Sequence, residues 1–94
     1  MNFEYNLDKS MVNTKKHGIS LEEAKGLWLV AHIQLEARVM DEPRFMIVGK
    51  LDHKCYSCIF TVRGEVVRLI SARRSRLEEE KIYHEQITQE KTDG

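Results

Sequence analysis

The stretch His32-Ile33-Gln34-Leu35-Glu36-Ala37-Arg38-Val39 decides the fold. Its apolar members Ile33, Leu35, Ala37 and Val39 alternate with polar ones, a two-residue period that a helix would spread around its circumference and a strand gathers on one face. The stretch is therefore a strand with one buried side. Downstream, Asp41-Glu42-Pro43 supplies a turn, Arg44 to Lys50 a second strand, and Leu51 to Lys54 another turn. From Cys55 to Val62, Tyr56, Cys58, Phe60 and Val62 alternate with Cys55, Ser57, Ile59 and Thr61. Arg63-Gly64-Glu65 then closes a hairpin onto Val66 to Ser71. Three short connections in succession predict a four-stranded antiparallel meander.

Upstream, Phe3 and Tyr5 alternate with Glu4 and Asn6 as a short first strand. A helix is expected from about Asp8 to Lys16, capped by Asn6 or Asp8 and ended by Gly18 in a left-handed conformation. Ser20-Leu21-Glu22-Glu23 has the capping-box spacing, so a second helix starts at Ser20 or Leu21. Its end is not fixed by periodicity, because Leu27 to Ala31 is apolar on every side. A C-terminal helix runs from about Ser75, with Leu77, Ile82, Tyr83 and Ile87 on one face and residues 89–94 expected to fray. The architecture is α+β: helices shield the sheet's apolar face, and the other face is left for a ligand.

The 94 residues, 41% hydrophobic, suit one domain spanning 1–94 with no room for a second. A large internal cofactor would be hard to enclose. Fifteen Lys and Arg balance fifteen Asp and Glu, so neither an overall basic field nor an acidic surplus exists. No apolar run reaches the ~18 residues of a membrane span, and Met1 to Asp8 lacks the basic start and apolar stretch of a signal peptide. A cytoplasmic protein is expected, with no membrane partner and with both cysteines reduced.

The neutral total conceals two opposed patches. Between Arg63 and Arg76 five arginines (Arg63, Arg68, Arg73, Arg74 and Arg76) face one acid, Glu65; from Leu77 to Gly94 two lysines face six acids. A second basic cluster, Lys15-Lys16-His17, closes the first helix. Arginine suits phosphate, since its planar fork donates bidentately and stays charged. Solvated faces or structural ion pairs explain such runs equally well. Arg68 interrupts an apolar strand with Val66 and Ile70 on its side, so it needs either Glu36 or Glu42 on a neighbouring strand or an anion from solution.

Other features have plain readings. Cys55 and Cys58 are three residues apart in a strand and point to opposite faces, so they do not share one ion; Cys58 reads as core. Trp28 reads as helix-to-sheet packing, with base stacking as the other use of its ring. His32 and His84 read as surface residues.

Several of these residues together resemble the BrnT family, the ribonuclease toxins of BrnT/BrnA type II toxin–antitoxin systems. The matching pieces are Phe3-Glu4-Tyr5, Asp8-Lys9, Asn13 and the run Lys16-His17-Gly18-Ile19-Ser20-Leu21-Glu22-Glu23-Ala24. Further on they are Arg44-Phe45, Ile47, Gly49, Thr61, Arg63-Gly64 and Arg68-Leu69-Ile70-Ser71-Ala72-Arg73-Arg74. The likeness spans residues 3 to about 83. Where the family often carries an acidic, Pro-containing turn after the second helix, this chain has Leu27-Trp28-Leu29-Val30-Ala31-His32.

The resemblance implies a RelE-like fold and cleavage of RNA without metal or organic cofactor. It also implies a cognate BrnA-like antitoxin that covers the basic surface in a hetero-oligomer. The chemistry is attack of a ribose 2′-hydroxyl on the adjacent phosphate, with arginines stabilising the charge that accumulates on its oxygens. Removing one such donor costs on the order of 3 kcal/mol, about 100-fold in rate. Arg73 and Arg74 are the expected phosphate ligands, supported by Arg44 and Arg68, while Lys9, Lys16 and Arg63 guide the RNA backbone. His17 is the natural proton carrier, because an imidazole exchanges protons near neutral pH. A His before Gly at a helix end also serves simply as a cap, and Glu22 or Glu42 are other acid–base candidates. A catalytically inactive RNA- or partner-binding module of the same fold, or a structural subunit that pairs its exposed sheet face with another chain, are the alternatives.

Overall fold

The computed structural model, which describes residues 1–37 and 42–92, contains strands β1 (Asn2–Glu4), β2 (His32–Ala37), β3 (Arg44–Leu51), β4 (Lys54–Arg63) and β5 (Val66–Arg74). They form one mixed sheet in the order β1-β5-β4-β3-β2, in which β2 to β5 pair antiparallel in succession and β1 lies parallel beside β5. The alternation that identified β2 buries Ile33 and leaves His32, Gln34 and Glu36 exposed. Its expected continuation through Arg38 and Val39 and the first residue of the turn at Asp41 lie outside the described residues. Of the fray expected over 89–94, residues 89–92 are instead helical as the end of the C-terminal helix, and 93–94 lie outside the described residues. Between β3 and β4, Asp52 and His53 both take positive φ, 55° and 68°, the left-handed pair that a two-residue hairpin turn requires.

Three α-helices accompany the sheet: α1 (Leu7–His17), α2 (Leu21–Ala24) and α3 (Leu77–Thr92). Asn6 caps α1, its side-chain oxygen accepting from the Lys9 amide at 3.0 Å. Gly18 ends it at φ 71°, its N–H donating to the Thr14 carbonyl at 2.9 Å. Ser20 and Glu23 form the reciprocal capping box of α2, at 2.9 and 3.1 Å. This helix lasts one turn and tightens into a 3₁₀ segment, Lys25–Leu29. The buried residues Leu21, Ala24 and Leu27 recur every third position, and three-per-turn winding keeps all of them on the sheet.

Both faces of the sheet carry helices. On the first, α1, α2 and the 3₁₀ segment bury Ile47, Cys58, Phe60, Val67, Leu69 and Ala72, and Trp28 meets the rings of Phe3 and Phe60 edge-on, each at 5.1 Å. On the second, α3 lays Ile82, Tyr83 and Ile87 over Ile33, Leu35, Met46, Val48 and Cys55. The expectation of one face left for a ligand is thus corrected for β2, β3 and the start of β4, which present apolar side chains on that side too and which α3 removes from water; β1 and β5 add nothing to this second cluster.

One irregularity in β5 positions everything near it. Ile59 pairs with Ser71 and Phe60 with Leu69, leaving Ile70 as an extra residue. Strict alternation would put Ile70 beside Arg68; the bulge breaks that phase instead. Val67, Leu69 and Ala72 share the first face, while Arg73, opposite Ser57, falls on the second.

Candidate functional site

Where β1 ends, at the Glu4–Arg68 pair, the outer edge of β5 passes to α1. Asn13 makes that junction. Its amide nitrogen donates to the carbonyls of Ile19 and Ala72, both at 2.8 Å, and its oxygen accepts from the Ala72 amide at 3.0 Å. A nearby buried hydroxyl, Ser10 Oγ, accepts from the Leu21 amide at 2.9 Å. These bonds satisfy backbone groups that a neighbouring strand would otherwise pair.

A groove of about 320 Å³ runs along this junction, with Asp8, Lys9, Val12, Asn13, Lys16 and His17 on the α1 side and Ile70 and Ser71 on the β5 side. Lys9, Lys16 and His17 are exposed. Lys15, Lys16 and His17 occupy the last turn of α1, where cations complement the helix dipole. Just past this helix end lies a second hollow of about 290 Å³, lined by Gly18, Ile19, Glu23, Leu51, Asp52 and Tyr56. The Arg74 guanidinium stacks 5.6 Å from the centre of the Tyr56 ring, and its Nε donates to the Cys55 carbonyl at 3.3 Å.

The other arginines lie elsewhere. Arg73 projects to the opposite face from Arg74, as strand neighbours must, and grips Glu79 with both prongs at 2.9 and 2.8 Å. Burial alone would push the Glu79 carboxyl up. Hydrogen bonds from Arg73, the Arg76 amide and the Ser57 hydroxyl, with the Arg73 charge, overcome it and hold the carboxyl down at about 2. Arg68 pairs with Glu4 at 3.3 Å, not with Glu36 or Glu42. Its partner comes from β1, whose parallel pairing sets Glu4 opposite Arg68. Glu42 is taken by Arg63 at 3.3 Å. Glu22 accepts from the Tyr5 hydroxyl and pairs with Lys25 at 2.7 Å; the Lys25 hydrogen bond and then the Tyr5 one hold its carboxyl below the usual range. Arg44 is exposed, with no partner among the described residues.

Lys9, Lys16 and His17 thus share one groove, and Arg74 stacks on Tyr56, which lines the adjoining hollow, while Arg44, Arg68 and Arg73 stand on the far face. The expected convergence of all four arginines on one phosphate is not found. Asp8, Val12 and Asn13 are lining residues that sequence reasoning did not assign to the site. Their spacing carries the signal, since positions 8, 9, 12, 13, 16 and 17 form a single stripe along a helix. The two cysteines fall in opposite cores, and burial pushes the Cys58 thiol up to about 12.

Fold and groove together define a small α+β protein with a basic, imidazole-bearing cleft where a helix meets the exposed side of a strand. The chain belongs to the family of BrnT ribonuclease toxins of type II toxin–antitoxin systems, whose sequence model matches residues 5–79, from Tyr5 before α1 to Glu79 in α3. No curated protein sequence matches the chain. Family membership makes it a ribonuclease toxin and implies an antitoxin partner. No helix among the described residues is long and apolar enough to cross a membrane.

Proposed function

We propose that the chain is a single-domain, RelE-like endoribonuclease that cuts RNA in the cytoplasm without a metal, and so inhibits translation and growth. The observation that carries this reading is the sharing of one groove by His17, Lys9 and Lys16. Lys9 and Lys16 hold an RNA phosphate there, and His17 takes the proton of the ribose 2′-hydroxyl. The 2′ oxygen bonds to phosphorus, the bond to the 5′ oxygen breaks, and a proton from Lys16 or water neutralises the leaving alkoxide. The products end in a 2′,3′-cyclic phosphate and a 5′-hydroxyl. Charge gathering on the non-bridging oxygens is met by the ammonium groups and by Arg74, reaching over from Tyr56.

The remaining arginines take supporting parts. Arg44, Arg68 and Arg63 contact RNA backbone beyond the cut site, and Arg73 is a positioning residue that fixes the β5–α3 corner through Glu79. A BrnA-like antitoxin fits the outer side of α1, where Leu7, Met11 and Val12 are 72%, 65% and 52% exposed beside the basic groove. Such a partner brings apolar side chains for this strip and acids for Lys9 and Lys16.

Incubation of the purified chain with RNA in the presence of chelator tests the reading. Fragments with cyclic phosphate ends are expected, and cleavage that appears only when a divalent metal is added defeats it. A second reading has its own support, since Arg63, Arg68 and Arg73 are each paired with a carboxylate of the chain. A non-catalytic RNA-binding module would show salt-sensitive binding and no fragments at all.

A further inference from the structure

The geometry points to a metal site of the zinc type, formed by Cys55, Glu80 and His84, that clamps α3 to the sheet. Glu80 and His84 are four residues apart and so share one side of α3; Cys55 lies in the cluster that α3 covers. One ligand atom from each residue lies within 4.8 Å of the other two, and Glu80 Oε1 is 3.8 Å from His84 Nε2. Four-coordinate zinc, with bonds of ~2.0–2.3 Å, draws its ligands to about 3.5 Å from one another. Closing the triangle therefore takes roughly an ångström of side-chain movement, available to the exposed His84 and the half-buried Glu80. Tyr83 meets the His84 ring edge-on at 5.4 Å and limits its swing.

The donor set selects the ion. A thiolate, an imidazole and a carboxylate suit zinc, whereas magnesium and calcium take oxygen ligands. Burial pushes the Cys55 thiol up, helped by the Glu80 charge, so its proton leaves to solvent as the sulfur–metal bond forms. Three protein ligands leave the fourth position to water. The ion ties the helix to β4 one turn beyond the Arg73–Glu79 pair and offsets part of the charge of Glu78, Glu79 and Glu80. Cys55 lies on the face away from the α1 helix layer, so the clamp is separate from the RNA chemistry proposed above and supplies no Lewis acid to it.

Titration of the metal-stripped full chain with cobalt(II) alone, followed by zinc competition, tests the site. One equivalent of cobalt should give tetrahedral d–d bands and a sulfur-to-cobalt charge-transfer band, both displaced by zinc. Cys55→Ser should abolish the sulfur band, Cys58→Ala should keep it, and His84→Gln or Glu80→Gln should weaken zinc binding at least ~10-fold. Should Cys55→Ser fail to fold, His84→Gln alters an exposed residue and still decides the matter. A parent spectrum without the sulfur band, or zinc affinity unchanged in His84→Gln, overturns the proposal.

Discussion

Arg73 and Glu79 meet prong to prong, Nη1 to Oε1 at 2.9 Å and Nη2 to Oε2 at 2.8 Å, with the Glu79 side chain 13% exposed and that of Arg73 23%. The same carboxylate accepts from the Arg76 amide at 3.0 Å, which places it at the start of α3 as the reaching-back half of a capping box. One side chain thus starts a helix and ties it to the strand before it.

Acid should loosen this corner. The Glu79 carboxyl sits at about 2 in the folded chain, against 4.5 ordinarily, so its contribution is complete above the unfolded value and lost as pH falls from about 4.5 to about 2. The difference corresponds to about 3 kcal/mol, trimmed to roughly 2 by the water that still reaches the pair. Urea unfolding of the parent should show this loss between pH 5 and about pH 2, and Glu79→Gln should flatten that part of the profile. Equal slopes in the two proteins would contradict the assignment.

Asn13→Ala should be among the most damaging single changes on α1. It removes three hydrogen bonds and strands the buried Ala72 amide, which no strand pairs on that side. A cost of about 3 kcal/mol is expected, read as a lower denaturation midpoint. A change under about 0.5 kcal/mol would mean that water replaces the side chain without penalty.

Chemistry and grip should separate within the groove. His17→Ala is expected to slow RNA cleavage at least ~100-fold while leaving RNA binding nearly intact. The Lys9→Ala, Lys16→Ala double variant should weaken binding and make its salt dependence shallower by about 1.4 in log–log slope, two contacts at ~0.7 each on single strands. Full-rate cleavage by His17→Ala would remove the imidazole from the mechanism.

The two neighbouring arginines should behave as opposites. Arg73→Ala leaves a charged Glu79 without its partner and should lower stability by about 2 kcal/mol, with cleavage affected only as far as folding is. Arg74→Ala should leave the unfolding curve within about 0.5 kcal/mol of the parent and cut the cleavage rate on the order of 100-fold. Reversal of these two patterns would exchange their roles.

Much of this was legible in the chain. Alternation gave β2 and β4, and Asn6, Gly18 and the Ser20–Glu23 box marked helix boundaries near where the hydrogen bonds put them. The stripe of Lys9, Lys16 and His17 lies on one helix and was available to local reading. What local reading missed was long-range pairing. Glu4 reaches Arg68 only because β1 docks parallel to β5, and Glu79 finds Arg73 only because α3 folds back across the sheet. Charge counts say how many carboxylates are near in sequence, not which of them the topology returns to a given guanidinium.

The unpaired Ile70 has a consequence for chain arithmetic. It acts as a one-residue phase switch, so the count through the bulge, and not the identity of either side chain, decides which arginine is spent on the acidic helix and which looks toward the cleft. Deleting that residue would let Ser71 follow Leu69 in regular pairing and leave both arginines facing as they do, whereas straightening the strand with Ile70 kept, so that it pairs with Ile59, would set Arg73 opposite Tyr56 and trade the two guanidinium groups between opposite sides of the protein.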